Sequence, residues 1–403
     1  MASSVQETNS LSQELRESVV SSSMSEAMMA EKEREVSDAS SEKKKPLRVL
    51  VAASGSGGHI IPALHIVRAI RALDPLSVIE FIGSGRPLEE KLIIGNGFSR
   101  HVVRLSGVKN RGLKGVIGFA WKLPVALAQV VGIVRKFKPD VVVGVGGYAS
   151  VLPIVVGRLL GVPTWIHEAE LHPGLANRVL GYFADKMSVG FSDTKIKGRA
   201  QIIVTGHPVR PELVHVDATA IREDAPKNLL VLGGSQGARG IDEAVATIAP
   251  IAAARGIQVV HQCRAEHMDL VTNSYRAEGV SAHVVSFIDD MAGAYDWADV
   301  IVSRSGASSV AEIGCVNRPT IFIPYPFQQG THQSDNAMVL VRQEKALLVE
   351  ETQPNFPTRL RDALELVLDR EKFVSMKQAP YEATGLKAAE VIAEGIKSIQ
   401  KSA

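Results

Sequence analysis

The chain has 403 residues, of which 45% are hydrophobic and 22% charged, and its formal net charge is +2. That length predicts two or three globular domains. The small net charge and the 5% aromatic content argue against a strongly basic nucleic-acid binder or a base-stacking channel. The two cysteines, Cys263 and Cys315, are too few for a disulfide framework or an unaided structural zinc site. They are expected to be buried free thiols of a reducing compartment.

Residues 1–46 hold twelve Ser, nine acids and six bases, with no Gly and no aromatic residue. Nothing there resembles a signal-peptide core, and transit peptides are poor in acids. The stretch reads as a disordered or weakly helical tail, because it offers little to bury against its ordering entropy.

From Leu47 the pattern alternates. Leu47–Ala53 is an apolar strand ending in Ser54-Gly55-Ser56-Gly57-Gly58-His59, followed by a helix with Ile60, Leu64, Val67 and Ile70 on one face. Val78–Ile82, Val141–Val145 and Thr164–His167 read as further strands. The pattern restarts at Leu229–Leu232, which runs into Gly233-Gly234-Ser235-Gln236-Gly237 and a helix. Val259–Gln262, Val300–Ser303 and Thr320–Ile323 follow, and residues 384–400 read as a terminal helix. Alternating strands and helices predict an α/β protein of two doubly wound parallel sheets, joined near Gly206–Pro211, with a cleft between them. Ligands of such sheets sit at the carboxyl ends of the strands.

Three glycine- or serine-rich turns link strand to helix: Ser54–His59, Gly233–Gly237 and Ser305–Ser309. Each can present backbone N–H groups to an anion, so together they predict a phosphorylated ligand. The first does not fit the dinucleotide fingerprint, and no segment matches the P-loop. His59, at the start of a helix facing the cleft, is either a structural histidine or a general base. Glu312 lies one helical turn beyond Ser308-Ser309, where a carboxylate is either solvated or salt-bridged, or accepts from ribose hydroxyls. The His332-Gln333-x-x-Asn336 segment is a polar loop whose amides can read sugar hydroxyls. Asp289-Asp290 lacks the spacing of a metal cluster and reads more simply as a helix start.

Residues 91–139 contain no Asp or Glu and ten Lys or Arg. Val116–Val134 within them is apolar but interrupted by Lys122, Pro124 and Gln129, which is unsuited to crossing a bilayer. Two readings stand: a helix covering the sheet with a basic rim, or a surface that docks on anionic lipid headgroups.

Taken in order, several segments resemble the MurG family of bacterial cell-wall glycosyltransferases. They are Gly55-Ser56-Gly57-Gly58-His59 with Pro62-Ala63-Leu64; Gly146-Gly147-Tyr148-Ala149-Ser150; His167-Glu168 with Pro173-Gly174-Leu175-Ala176-Asn177-Arg178; and Gly206-His207-Pro208-Val209-Arg210. Further along come Gly233-Gly234-Ser235-Gln236-Gly237-Ala238-Arg239; Phe287-Ile288-Asp289-Asp290-Met291; Arg304-Ser305-Gly306-Ala307 with Glu312; and Gln333 with Asn336. The resemblance spans about residues 47–400. It implies a GT-B fold with an acceptor and membrane-facing domain at 47–208 and a UDP-sugar domain at 209–383. The terminal helix at 384–403 would have the first domain as its candidate packing surface.

The reaction implied moves N-acetylglucosamine from UDP-N-acetylglucosamine to the 4-hydroxyl of undecaprenyl-diphosphate-linked muramyl-pentapeptide. It proceeds with inversion, without metal or cofactor, on the cytoplasmic side of the inner membrane. By position, Ile288 would meet the uracil and Glu312 the ribose. Arg210, Ser235 and the Ala307-Ser308-Ser309 turn would hold the diphosphate, Gln333 would read the sugar, and Gln236, Gly237 and Asn336 would be further substrate contacts. Ser56, Gly57 and Gly58 would face the acceptor. His59 is the first candidate base and Glu168 the second. This chain has Ala169-Glu170 where the family usually has Gln-Asn, so Glu170 would offer an acceptor-only contact. It also has Val151-Leu152 before Pro153, and Ser56 where Thr is common. A UDP-sugar 2-epimerase, a glycolipid synthase with another lipid acceptor, and a non-catalytic UDP-sugar-binding protein are the rival readings.

Overall fold

A computed structural model describes residues 45–55, 57–103, 112–219, 225–234, 237–326, 332–380 and 384–400, without the side chains of 112–122, 332 and 400. Ser56, Ser235, Gln236, nearly all of the 1–46 tail and residues 104–111 of the basic stretch therefore lie outside it.

The first strand, β1 (Arg48–Ala52), is apolar because both of its faces are covered. Val49 and Val51 point into one core cluster, whereas Leu50 belongs to another on the opposite side of the sheet. Around it, among the described residues, seven parallel strands run in the order β3-β2-β1-β4-β5-β6-β7. The others are β2 (Val78–Gly83), β3 (Ser99–Val102), β4 (Val141–Gly144), β5 (Thr164–Glu168), β6 (Lys186–Val189) and β7 (Gln201–Val204). Helix α1 (Gly57–Leu73) buries Ile60, Leu64, Val67 and Ile70 against one face. The short α2 (Pro87–Ile93) follows β2. Helix α3 (Gly112–Phe137) lays Ala126, Val130, Val134 and Phe137 on the other face, beside α4 (Val151–Leu159). The short α5 (Leu175–Leu180) follows β5.

The second sheet has the order β10-β9-β8-β11-β12-β13, again all parallel. Its strands are β8 (Asn228–Leu232), β9 (Gln258–Gln262), β10 (Ala282–Val285), β11 (Val300–Ser303), β12 (Thr320–Phe322) and β13 (Ala346–Leu348). Its helices are α6 (Arg239–Glu243), α7 (Val245–Arg255), α8 (Met268–Ala277), α9 (Met291–Trp297), α10 (Ala307–Val316), α11 (His332–Val341), α12 (Phe356–Val367) and α13 (Arg370–Gln378). The turn at Gly233–Gly237 does not open a long helix. It leads to the five-residue α6, separated from α7 at Ala244.

The last helix, α14 (Ala388–Gln400), returns to the first sheet. Ile392, Ala393 and Ile396 join the cluster formed by β1 and α1. Each of the two isoleucines contributes roughly 1.5–3 kcal/mol of apolar burial before entropy is counted. The chain thus crosses between lobes twice, and the crossings touch. A Cβ at Gly206 (φ +80°) would lie 2.8 Å from the Thr384 carbonyl, and one at Gly385 would lie 3.1 Å from the His207 carbonyl. Only glycine permits that approach.

Both sheets reverse their strand order at a central pair, β1/β4 in the first and β8/β11 in the second. Ala52 pairs with Gly144 and Leu232 with Ser303 across those pairs. The turns that leave these strands therefore emerge side by side, at the place where doubly wound sheets bind ligands.

Candidate active site

In the first lobe, Gly55 adopts φ +99° and α1 begins at Gly57, which puts His59 in its opening turn. Because β4 lies beside β1, the Gly146-Gly147 turn comes up under the imidazole. A Cβ on Gly146 would stand 2.9 Å from His59 Cδ2, and one on Gly147 would stand 3.5 Å from Cε1. Both glycines have positive φ (+78° and +76°), so a side chain there would also strain the backbone. The ring rests on a bed that only glycines can form. Its Nδ1 is buried without a hydrogen-bond partner. Burial holds the His59 pKa below its ordinary value, with the Ser54 backbone working the other way. The imidazole is thus neutral near pH 7 and able to accept a proton. Gly57 is buried and Gly58 exposed.

Glu168 ends β5. One carboxylate oxygen accepts from the Glu170 backbone N–H at 2.9 Å; the other accepts from Gly174 N–H at 3.2 Å and Asn177 Nδ2 at 2.9 Å. The carboxylate folds the 169–174 loop around itself. Burial pushes its pKa up to about 7; the hydrogen bonds oppose the shift and the Glu170 charge adds to it. Asn177 also donates to the His167 carbonyl at 3.1 Å. A Cβ on Gly146 would lie within 3.9 Å of Asn177 Nδ2, so His59 and the Glu168 loop flank the same glycine.

In the second lobe, α10 starts after β11 with Gly306 at its N-cap and no side-chain cap bond. Its first turn carries buried Ala307 and half-buried Ser308 and Ser309. Glu312, one turn on, accepts from Arg210 Nε at 2.9 Å and from the Tyr295 hydroxyl at 3.1 Å. Of the sequence alternatives for Glu312 the structure shows the ion pair, and the cation is Arg210, itself a candidate diphosphate ligand. Gly237 turns with φ +67°. Ile288 is half-buried against the core next to α9, and Asp290 caps α9 by accepting from Gly293 N–H at 2.9 Å. Gln333 Oε1 accepts from Tyr325 N–H at 2.9 Å, tying α11 to the loop after β12.

Asn336 is fully buried, and its Oδ1 accepts from the backbone of Leu171 at 3.1 Å. It fastens the first lobe to the second, while its Nδ2 is buried without a partner. Sequence reasoning assigned no role to Tyr295, His207 or Asn177. Tyr295 and Glu312 are 17 positions apart, on different helices, and no local pattern announces such a contact.

Cys263 and Cys315 are buried free thiols. Burial pushes their pKa values up to about 11 and about 12. Among the described residues no helix is long and apolar enough to cross a membrane.

Two facing parallel-sheet lobes, with glycine turns at both switch points, define the GT-B fold. Comparison with known proteins agrees. The profile described as glycosyltransferase family 28 N-terminal domain matches residues 49–189, and that of the family 28 C-terminal domain matches 228–395. A UDP-N-acetylglucosamine–N-acetylmuramyl-(pentapeptide) pyrophosphoryl-undecaprenol N-acetylglucosamine transferase of Syntrophus aciditrophicus is 37% identical, over 76% of this chain and 85% of its own. Its namesake from Nitratidesulfovibrio vulgaris is 34% identical, over 87% of this chain and 97% of its own. The crystal structure of Acinetobacter baumannii MurG has the same fold, with a TM-score of 0.70 and 24% identity over 88% of this chain and all of that one. A Neisseria meningitidis UDP-GlcNAc 2-epimerase shares the fold at a TM-score of 0.57 and 14% identity, over 87% of this chain and all of that one. The chain belongs to the MurG family of N-acetylglucosamine transferases.

Proposed function

We propose that the protein transfers N-acetylglucosamine from UDP-N-acetylglucosamine to the 4-hydroxyl of undecaprenyl-diphosphate-linked muramyl-pentapeptide, with inversion at the anomeric carbon. The observation that carries this reading is that relatives named for that transfer align across both lobes, over 85% and 97% of their length.

The acceptor oxygen attacks the anomeric carbon, the bond to the diphosphate oxygen breaks, and UDP leaves with the electron pair. His59 takes the hydroxyl proton: its neutral imidazole and its glycine bed support that assignment. Glu168 is the weaker candidate, since three donors already occupy its two oxygens. Charge growing on the diphosphate is met by the N–H groups and hydroxyls at the start of α10 and by Arg210. Ser235, Gln236 and Gly237 form the second diphosphate turn, and Ser56, Gly57 and Gly58 face the acceptor. Glu312 holds the ribose, with Arg210 and Tyr295 fixing its orientation. Ile288 meets the uracil and Gln333 reads the sugar. The partnerless Nδ2 of Asn336 supports a contact with the same sugar. Glu170 offers the acceptor side a carboxylate.

The acceptor is a lipid, so the protein works peripherally at the cytoplasmic face of the cell membrane, through the acid-free stretch 91–139. Val125 and Leu127 are exposed on α3, and Arg135, Lys136 and Lys138 are exposed at and just past its C-terminal end, which supports a surface suited to anionic headgroups.

The test is transfer of labelled N-acetylglucosamine from UDP to the lipid-linked muramyl-pentapeptide. Release of UDP should require that acceptor. Label moving only to diacylglycerol, or epimerisation of the sugar without acceptor, would replace this reading by one of its rivals.

A further inference from the structure

A line of hydrogen bonds crosses from the first lobe to the donor turn of the second. Trp165 Nε1 donates to Ser188 Oγ at 3.0 Å. Ser188 Oγ lies 3.0 Å from His167 Nδ1, and His167 Nε2 lies 3.1 Å from His207 Nδ1. His207 Nε2 lies 2.9 Å from Ser308 Oγ, on the first turn of α10. Trp165, His167, Ser188 and His207 are all buried to within 1% exposure, while Ser308 is half-buried at the cleft.

The line can run in two directions. In one, Ser188 donates to His167, His167 to His207, and His207 to Ser308; the Ser308 proton is then free for a ligand. In the other, Ser308 donates inward and each imidazole holds its proton on Nδ1. Ser188 then receives from His167 and sends its own proton to the Ile166 carbonyl, 3.4 Å away. Indole N–H can only donate, and the contact of Ser188 with His167 is shorter than that with Ile166, which favours the outward direction. An anion at Ser308 selects it as well, because an inward-donating serine would present lone pairs to the anion. Burial keeps both rings neutral, His167 at about 3 and His207 well below its ordinary value. Each ring therefore has one donor and one acceptor nitrogen, and the line has a single sense.

We propose that His207 and His167 are positioning residues that hold the Ser308 hydroxyl as a one-way donor to the diphosphate of the nucleotide donor. The proposal rests on the reading that the Ala307–Ser309 turn binds that diphosphate.

The experiment compares UDP and uridine binding by calorimetry on the full chain. Ser308→Ala should weaken UDP by roughly ten- to a hundredfold, the size of a lost hydrogen bond to a charged group, and leave uridine unchanged. His207→Phe, which keeps a ring but no nitrogen, should do the same and add nothing in the Ser308→Ala background. His207→Gln should recover most of the loss, since its amide can donate to Ser308 while its carbonyl accepts from His167. If Ser308→Ala lowers the preference for UDP over uridine and His207→Phe does not, the positioning role falls alone. If Ser308→Ala itself leaves the preference intact, the donor-turn reading falls and takes this proposal with it. Loss of UDP and uridine binding together in His207→Phe would make the histidine merely structural. Nitrogen NMR of the wild-type protein with UDP gives a check that needs no variant. Protons on Nε2 of both histidines are expected, and protons on Nδ1 would overturn the proposal.

Discussion

Arg210 Nε stands 2.9 Å from Glu312 Oε1, joining the segment that links the two lobes to α10. The Arg210 side chain is 28% exposed and that of Glu312 9%. Removing Glu312 leaves a half-buried Arg210 without its carboxylate, and removing Arg210 leaves the Glu312 charge with only the Tyr295 hydroxyl, so each single change costs more than the pair contributes. Glu312→Ala should weaken UDP binding by roughly 1–3 kcal/mol, the scale of a charged hydrogen bond. The double variant with Arg210→Ala should cost less than the two singles summed, by about 0.5–3 kcal/mol. Calorimetric titration of all four proteins measures this. Strict additivity would mean that the two side chains do not act as one unit on the nucleotide.

The glycine bed beneath His59 makes a second expectation. Gly146→Ala would place a methyl 2.9 Å from the ring at a backbone with φ +78°. The ring has to move, whereas the second lobe is untouched. His59→Ala should lower kcat by about 10²-fold or more if it is the base. Gly146→Ala should reproduce a large part of that loss with little change in KM for UDP-N-acetylglucosamine. A normal kcat in Gly146→Ala would show that the position of the imidazole is not critical.

The central strands were readable because parallel strands covered on both faces appear as unbroken apolar runs, such as Leu47–Ala53 and Val141–Val145. The shorter strands were not. Ser99–Val102, Lys186–Val189 and Gln201–Val204 have four residues each and include polar ones. β10 and β13 are edge strands of four and three residues. Their pairing is set by the sheet already present rather than by their own composition. The glycine turns were legible through φ > 0 and helix-start logic. The contact of His59 with Gly146 needed the β1/β4 pairing, and that of Tyr295 with Glu312 needed the packing of α9 on α10. The expectation that Asn336 reads sugar missed its bond to Leu171, because a cross-lobe contact 165 positions apart leaves no periodic trace.

Two helical glycines should respond to alanine with opposite signs. Gly132 in α3 is exposed, and a Cβ there meets nothing within 4 Å. Gly132→Ala should stabilise the protein by about 0.5–1 kcal/mol through helix propensity. Gly395 in α14 faces the ring of Trp165, and a Cβ there would collide with it. Overpacking typically costs about 1–3 kcal/mol, which outweighs the propensity gain. Gly395→Ala should therefore lower the midpoint of denaturant unfolding while Gly132→Ala raises it. A rise in both would mean that α14 can shift away from Trp165 at little cost.

Glu168 gives a pH signature. Its carboxyl has a pKa of about 7 in the folded chain against an ordinary value of 4.5, chiefly because it is buried. Between those two values the folded state holds a proton that the unfolded state has released. Stability from this group is therefore fully present below about pH 4.5 and falls as pH rises toward 7. The loss is on the order of 3 kcal/mol, at about 1.4 kcal/mol per unit of displacement. Glu168→Gln cannot titrate there. The stability of wild type minus that of Glu168→Gln should decline from pH 4.5 to 7 and be level on either side. Denaturant melts at closely spaced pH values measure that difference. A flat line across the window would mean that the three hydrogen bonds to the carboxylate already outweigh its burial, leaving it ionised throughout.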